Sequence, residues 1–167
     1  MTIFASSSNE SVAAFLPIVT QQASTADIGT LSRIEHECFT TEAFSRRLIM
    51  SLLRAPGAVS LLAKENEEVA GFLIGLVDDY GEVKLGHIVT IDVIPKYRRK
   101  GIATKLLQKV EKVFQDTGVR TSYLEVRDDN VAARRLYQKL GYREVEVLKG
   151  YYSRGGDGIR LEKTLLP

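Results

Sequence analysis

Residues 83–114 constrain the fold of this chain more than any other stretch. The β-branched and apolar run from Val83 to Val93 leads through Ile94-Pro95 into the turn Tyr97-Arg98-Arg99-Lys100-Gly101. Beyond the turn, Ala103, Leu106, Leu107, Val110, Val113 and Phe114 recur at helical spacing and give one apolar stripe. A second β-branched run follows at 121–127. A strand, a single crossover helix and a second strand imply parallel pairing, which forces these two runs into one sheet.

The flanking segments extend that sheet. Strands are expected at 17–23, 58–64 and 69–77, the last two joined by the polar turn 65–68 and followed by a turn at 78–81. Ser24, Thr25 and Asp27 offer caps for a helix carrying Ile28, Leu31, Ile34, Glu35 and Cys38. A second helix over 45–54 stops at Pro56-Gly57. A fourth helix over 130–140 ends at Gly141, a C′ glycine, and strands follow at 142–149 and 158–165. The expected architecture is α/β (α+β mixed): a mixed sheet with helices on its faces. The Ser- and Asn-rich segment 1–12 reads as a disordered tail, and 13–167 as one domain.

Composition removes several classes. No Lys or Arg precedes Arg33, which argues against a secretory or transit peptide and for a cytoplasmic protein. The apolar stretch 12–19 contains Pro17 and is too short to span a bilayer, so no membrane partner is expected. Cys38 is the sole cysteine, which excludes an internal disulfide and a cysteine metal cluster, and no metal is expected. A net charge of +2 gives no case for specific nucleic-acid binding.

The turn before the third helix has its own chemistry. A helix start leaves four backbone N–H groups without partners, and here no Ser, Thr, Asp or Asn stands ready to cap them. Gly101 lets the backbone approach a bulky group, while Arg98, Arg99 and Lys100 add positive charge to the helix dipole. Such a start suits a phosphate, although a solvated basic loop carries the same residues. Neither the P-loop nor the dinucleotide glycine pattern is present. The physical reading is therefore a phosphorylated ligand.

The motif Arg98-x-x-Gly101-x-Ala103 resembles the pyrophosphate-binding signature of the GNAT acetyltransferases. The strand 86–93, the run Leu124-Glu125-Val126-Arg127, Asn130, Leu136-Tyr137 and Leu140-Gly141-Tyr142 are similar to RimI-type and to archaeal and eukaryotic protein N-terminal acetyltransferases. The resemblance implies a mostly antiparallel GNAT sheet of about seven strands flanked by about four helices. It also implies acetyl-CoA as acetyl donor, held by Ile91, Asp92 and Val93 at the pantetheine, by Arg98, Arg99, Lys100, Gly101, Ile102, Ala103 and Thr104 at the pyrophosphate, and by Asn130. The expected acceptors are protein or peptide N-termini, with the ribosome or a ribosomal protein as partner.

Acetyl transfer to an amine needs a base, oxyanion stabilisation and a leaving thiolate. An α-amine titrates near ~8 and a lysine amine near ~10.4, so a base helps both. Glu125 shares a strand face with Tyr123 and Arg127, where a carboxylate ordinarily pairs with a cation across the sheet. The resemblance makes it the catalytic base, acting through water. His87 is the auxiliary base, since imidazoles suit proton work near neutrality. Tyr137 sits in the apolar stripe of its helix, and by resemblance is the general acid for the departing thiolate. Backbone N–H groups on the 91–93 strand would serve the oxyanion. Tyr151 and Tyr152 would wall the acceptor cleft, facing Phe39 and Glu42 in the first inter-helix connection. Lysine or small-amine acetylation, and a CoA-binding regulatory module without activity, are the alternatives.

Overall fold

The computed structural model describes residues 17–165, so the tail expected at 1–12 lies outside the described residues. The elements follow the expected order: β1 Val19–Gln22, α1 Ile28–Cys38, α2 Arg46–Arg54, β2 Ala58–Glu65, β3 Glu68–Asp79 and β4 Lys84–Val93. They continue with α3 Ile102–Asp116, β5 Thr121–Arg127, α4 Val131–Lys139, β6 Arg143–Leu148 and β7 Gly158–Thr164. Ser24 caps the short turn before α1 in a capping box with Asp27, and Ser45 caps α2 through Leu48 N–H. β3 runs through Asp79, past the turn expected at 78–81, because Asp78 and Asp79 still pair with Leu85 and Lys84.

The seven strands form one sheet in the order β1-β2-β3-β4-β5-β7-β6. All neighbours are antiparallel except β4 and β5, the pair that α3 connects. A single helix, α4, also joins β5 to β6, but these two strands are not neighbours. The β6–β7 hairpin folds back so that β7 inserts between them, antiparallel to both.

Residues 70–75 of β3 are buried without alternation, so both sheet faces are covered. α3 packs on β1 to β4, and α1 with α2 packs on β2 to β4. Its stripe, Ile102, Leu106, Leu107, Val110 and Phe114, is buried. A Cβ added at Gly86 would lie 2.4 Å from the Phe114 ring, and one at Gly75 would lie 2.8 Å from it. These two glycines, on β3 and β4, let α3 lie close against the sheet. Among the described residues, no helix is long and apolar enough to cross a membrane.

Candidate active site

The site begins where β4 and β5 part. They pair in parallel only over Leu85–Ile88 and Thr121–Leu124, although β4 continues to Val93 and β5 to Arg127. A β-bulge lies at the point of separation: Ile74 pairs with Thr90 and Gly75 with Ile88, which leaves Val89 without a partner on β3. The bulge re-aims β4, and the two facing edges beyond it carry no ladder. A cleft of about 190 Å³ lies between them. Its lining includes Phe39, Glu42 and Phe44 from the α1–α2 connection, Ile91 and Glu125 from the parted strands, and Asn130, Tyr137 and Tyr152 beyond them.

Glu125 lines the cleft from β5. Its side chain is 7% exposed and is ion-paired with His87 and Arg160. One oxygen lies 2.8 Å from His87 Nε2, and the other accepts from Arg160 Nη2 at 2.9 Å and Nε at 3.2 Å. Burial pushes this carboxyl up, but the bonds and charges of His87 and Arg160 together outweigh it and hold it below its ordinary range. Glu125 is therefore a carboxylate at neutral pH. Arg160 is its direct partner across β5 and β7, so the ordinary cross-strand pairing and the cleft-lining position occur in the same residue. His87 stands behind Glu125 rather than in the cleft lining, stacked on Tyr123 at 4.4 Å between ring centres.

Tyr137 sits on α4, buried in the cleft wall and edge-on to Tyr142. Burial first, and the nearby Asp92 second, raise its hydroxyl above the ordinary phenol range, which keeps the proton on it. Tyr152 is half-buried and lines the cleft, and burial raises its hydroxyl likewise. Tyr151 departs from expectation. It is exposed, stands outside the cleft lining, and packs edge-on against Tyr152 at 5.0 Å.

The two outer walls are tied together. Glu42 Oε1 accepts from Arg127 Nη1 at 3.0 Å and from Ser153 Oγ at 2.8 Å, so its carboxylate is already engaged. Arg127 also bonds Asp129 and lies over the Tyr152 ring at 5.5 Å. Arg127, Arg160 and Glu35 are site residues that sequence reasoning missed in any functional role. Only Arg160 had a usable signal, as a basic residue on a strand that could lie opposite Glu125.

At the start of α3 the expected uncapped geometry is present. Gly101 is the N-cap at φ 80°, with no side-chain cap, and a Cβ built there meets nothing within 4 Å. Two of the three basic side chains are committed elsewhere. Arg98 Nε donates to Val93 O at 2.9 Å, and Lys100 pairs with Glu65 at 2.9 Å. Arg99, at φ 65°, has no hydrogen-bond or ion-pair partner among the described residues. Ile102 is buried, so only its backbone faces outward. Ala103 and Thr104 are partly exposed on the first turn. Asp92 is buried and Val93 O is occupied, so of residues 91–93 only Ile91 lines the cleft. Asn130 caps α4 with its Oδ1 on Ala133 N–H at 3.1 Å and also reaches the cleft.

The chain is similar to the N-alpha-acetyltransferase of Saccharolobus solfataricus, 45% identical over 84 residues that cover 50% of each chain. It thus spans about half the length of the curated relatives it matches there. Over a longer stretch it is 33% identical to the N-alpha-acetyltransferase of Sulfolobus acidocaldarius, covering 86% of this chain and 90% of that one. The fold is that of the ribosomal-protein-S18-alanine N-acetyltransferase of Escherichia coli: TM-score 0.79 at 24% identity, over 90% of this chain and 96% of that one. The acetyltransferase (GNAT) family model matches residues 27–142. A parted parallel strand pair, an uncapped glycine-led helix and this match agree, and the chain belongs to the GNAT acetyltransferase family.

Proposed function

We propose that this protein transfers the acetyl group of acetyl-CoA to the N-terminal α-amine of a protein or peptide, by direct attack on the thioester. The observation that carries the reading is the cleft between β4 and β5, which places a held carboxylate and a held phenol around one space. The chain offers acetyl-CoA a fitting surface: open space at Gly101, uncapped N–H groups on α3, and strand edges without a ladder. Backbone groups of residues 99–104 with the Arg99 side chain would hold the pyrophosphate, Ile91 and its neighbours the pantetheine, and Asn130 the arm between.

The chemistry follows from the two protonation states. The amine nitrogen forms a bond to the thioester carbon as the carbon–sulfur bond breaks, with its electron pair going to sulfur. Glu125 takes the amine's proton through a water, and His87 lies within hydrogen-bond reach to receive it next. Tyr137 keeps its proton and donates a hydrogen bond from its hydroxyl to the departing thiolate. A backbone N–H of the 91–93 strand would stabilise the developing oxyanion. The relative named for N-alpha-acetylation supports an N-terminal acceptor.

The test is acetyl transfer to a peptide panel that varies the first two residues, with N-terminally blocked peptides bearing an internal lysine as controls. Free N-termini react faster. Equal rates on blocked peptides reassign the acceptor to lysine, and no transfer at all with CoA still bound indicates a binding module.

Two substitutions address the machinery separately. Gly101→Val imposes a β-branched side chain at φ 80°, and its Cβ enters the open space into which the pyrophosphate is proposed to fit. Calorimetry should show acetyl-CoA affinity weakened about tenfold or more in a folded variant, and unchanged affinity removes this site. Tyr137→Phe keeps the packed ring and removes the hydrogen-bond donor. Turnover should fall about tenfold with both substrates still bound, a modest loss because a thiolate of pKa near ~8.5 leaves tolerably unaided. An unchanged kcat would assign the thiolate's hydrogen bond to water.

A further inference from the structure

Two carboxyl groups lie buried side by side next to the acceptor wall. Glu35 on α1 and Asp92 on β4 are each 1% exposed and within hydrogen-bonding reach of one another. Each has one oxygen engaged: Glu35 Oε1 accepts the Phe44 N–H at 2.9 Å, and Asp92 Oδ2 accepts from Thr90 Oγ1 at 3.5 Å. The remaining oxygens, Glu35 Oε2 and Asp92 Oδ1, are buried with no donor among the described residues. Two adjacent anions in a low-dielectric interior repel, and each orphan acceptor carries an uncompensated desolvation cost. A single proton removes both difficulties, because a protonated carboxyl donates where a carboxylate can only accept.

We propose that Glu35 and Asp92 hold one proton between them, and that this shared proton pins the Phe44 wall of the cleft to β4. Glu35 is the link, since it touches Asp92 on one side and suspends the α1–α2 connection from Phe44 N–H on the other. The surrounding groups leave the pair dependent on that proton. Arg98 from the turn after β4 acts on Asp92 by its charge, but it is exposed and its Nε is bound to Val93 O. The Cys38 thiol at the end of α1 is pushed up to about 11 by burial first and Asp92 second. The Tyr137 hydroxyl on α4 feels the same carboxyl. Burial, then Glu35, push the Asp92 carboxyl up to about 9. The shared proton stands whatever the acceptor is, whereas its effect on acceptor binding rests on the function proposed above.

The sign of the pH dependence follows. The folded Asp92 carboxyl titrates above its unfolded value near ~3.9, so the folded state carries a proton that the unfolded state lacks between those values. The stability it confers is complete below the unfolded value and is lost as pH rises to about 9. Glu35→Gln replaces one carboxyl of the pair with an amide, whose N–H donates to Asp92 without any proton being taken up.

The test compares the full chain with Glu35→Gln and Glu35→Ala. At pH 7 the wild type should show the infrared carbonyl stretch of a protonated carboxylic acid, absent from Glu35→Gln. Between pH 5 and 9 its unfolding constant should rise, relative to Glu35→Gln, by up to about tenfold per pH unit. Hydrogen exchange at the Phe44 amide should be slow in wild type and in Glu35→Gln and fast in Glu35→Ala. If Glu35→Gln does not fold, Asp92→Asn should remove the same infrared band. A wild type without that band at pH 7, or parallel pH profiles for wild type and Glu35→Gln, overturns the shared proton. An unchanged peptide KM in Glu35→Ala, with the band present in wild type, overturns only the role in acceptor binding.

Discussion

Glu125→Gln should lower kcat by about 10²–10⁴-fold while leaving acetyl-CoA affinity unchanged. Glutamine keeps the shape of the side chain and can still bond Arg160 and His87, but it cannot take a proton. The catalytic cost is roughly 3–5 kcal/mol on the barrier. The structural cost, from neutralising one partner of a pair in which Glu125 is only 7% exposed, is read separately. Steady-state rates from pH 6 to 9 give the first, and a melting curve gives the second. A near-normal rate across that range would pass the role to His87 or to solvent.

Tyr152→Ala should lower kcat/KM for peptides by about 10²-fold with little change in CoA binding. The ring lines the acceptor end of the cleft, lies under the Arg127 guanidinium, and is backed by Tyr151. Its backbone is fixed separately, by Tyr152 N–H to Gly156 O at 2.9 Å. Truncation therefore opens the wall without unfolding the connection, and an amine held an ångström astray reacts far more slowly. Tyr152→Phe separates the ring from the hydroxyl. An equal loss in CoA affinity would show that the ring supports the whole cleft and sink the acceptor role.

Most of the fold was legible because its signals are local. The β-branched run 83–93, the stripe from Ala103 to Phe114 and the Gly101 turn are each read within a window of a few residues. They gave β4, α3 and the uncapped start between them, as found. The position of β7 between β5 and β6 was not legible, because crossover logic does not say which strand a later hairpin inserts. Glu125 and Tyr137 stood out by resemblance, and their protonation states could not be read that way. Those states depend on His87, Arg160 and burial, supplied by residues 38 and 35 positions from Glu125 and by packing around Tyr137.

By itself, the sequence determined the elements, their order, the crossover that makes β4 and β5 parallel, and the anion-ready start of α3. Those are properties of spacing, turn chemistry and backbone donors, which neighbouring residues set. Only the tertiary structure decided that β4 and β5 part after Ile88 and Leu124, and that Glu42 is tied to Arg127 and Ser153. It alone placed Glu35 against Asp92. Each of these is a pairing of groups far apart in the chain, and its energy exists only once burial has removed water and brought them together.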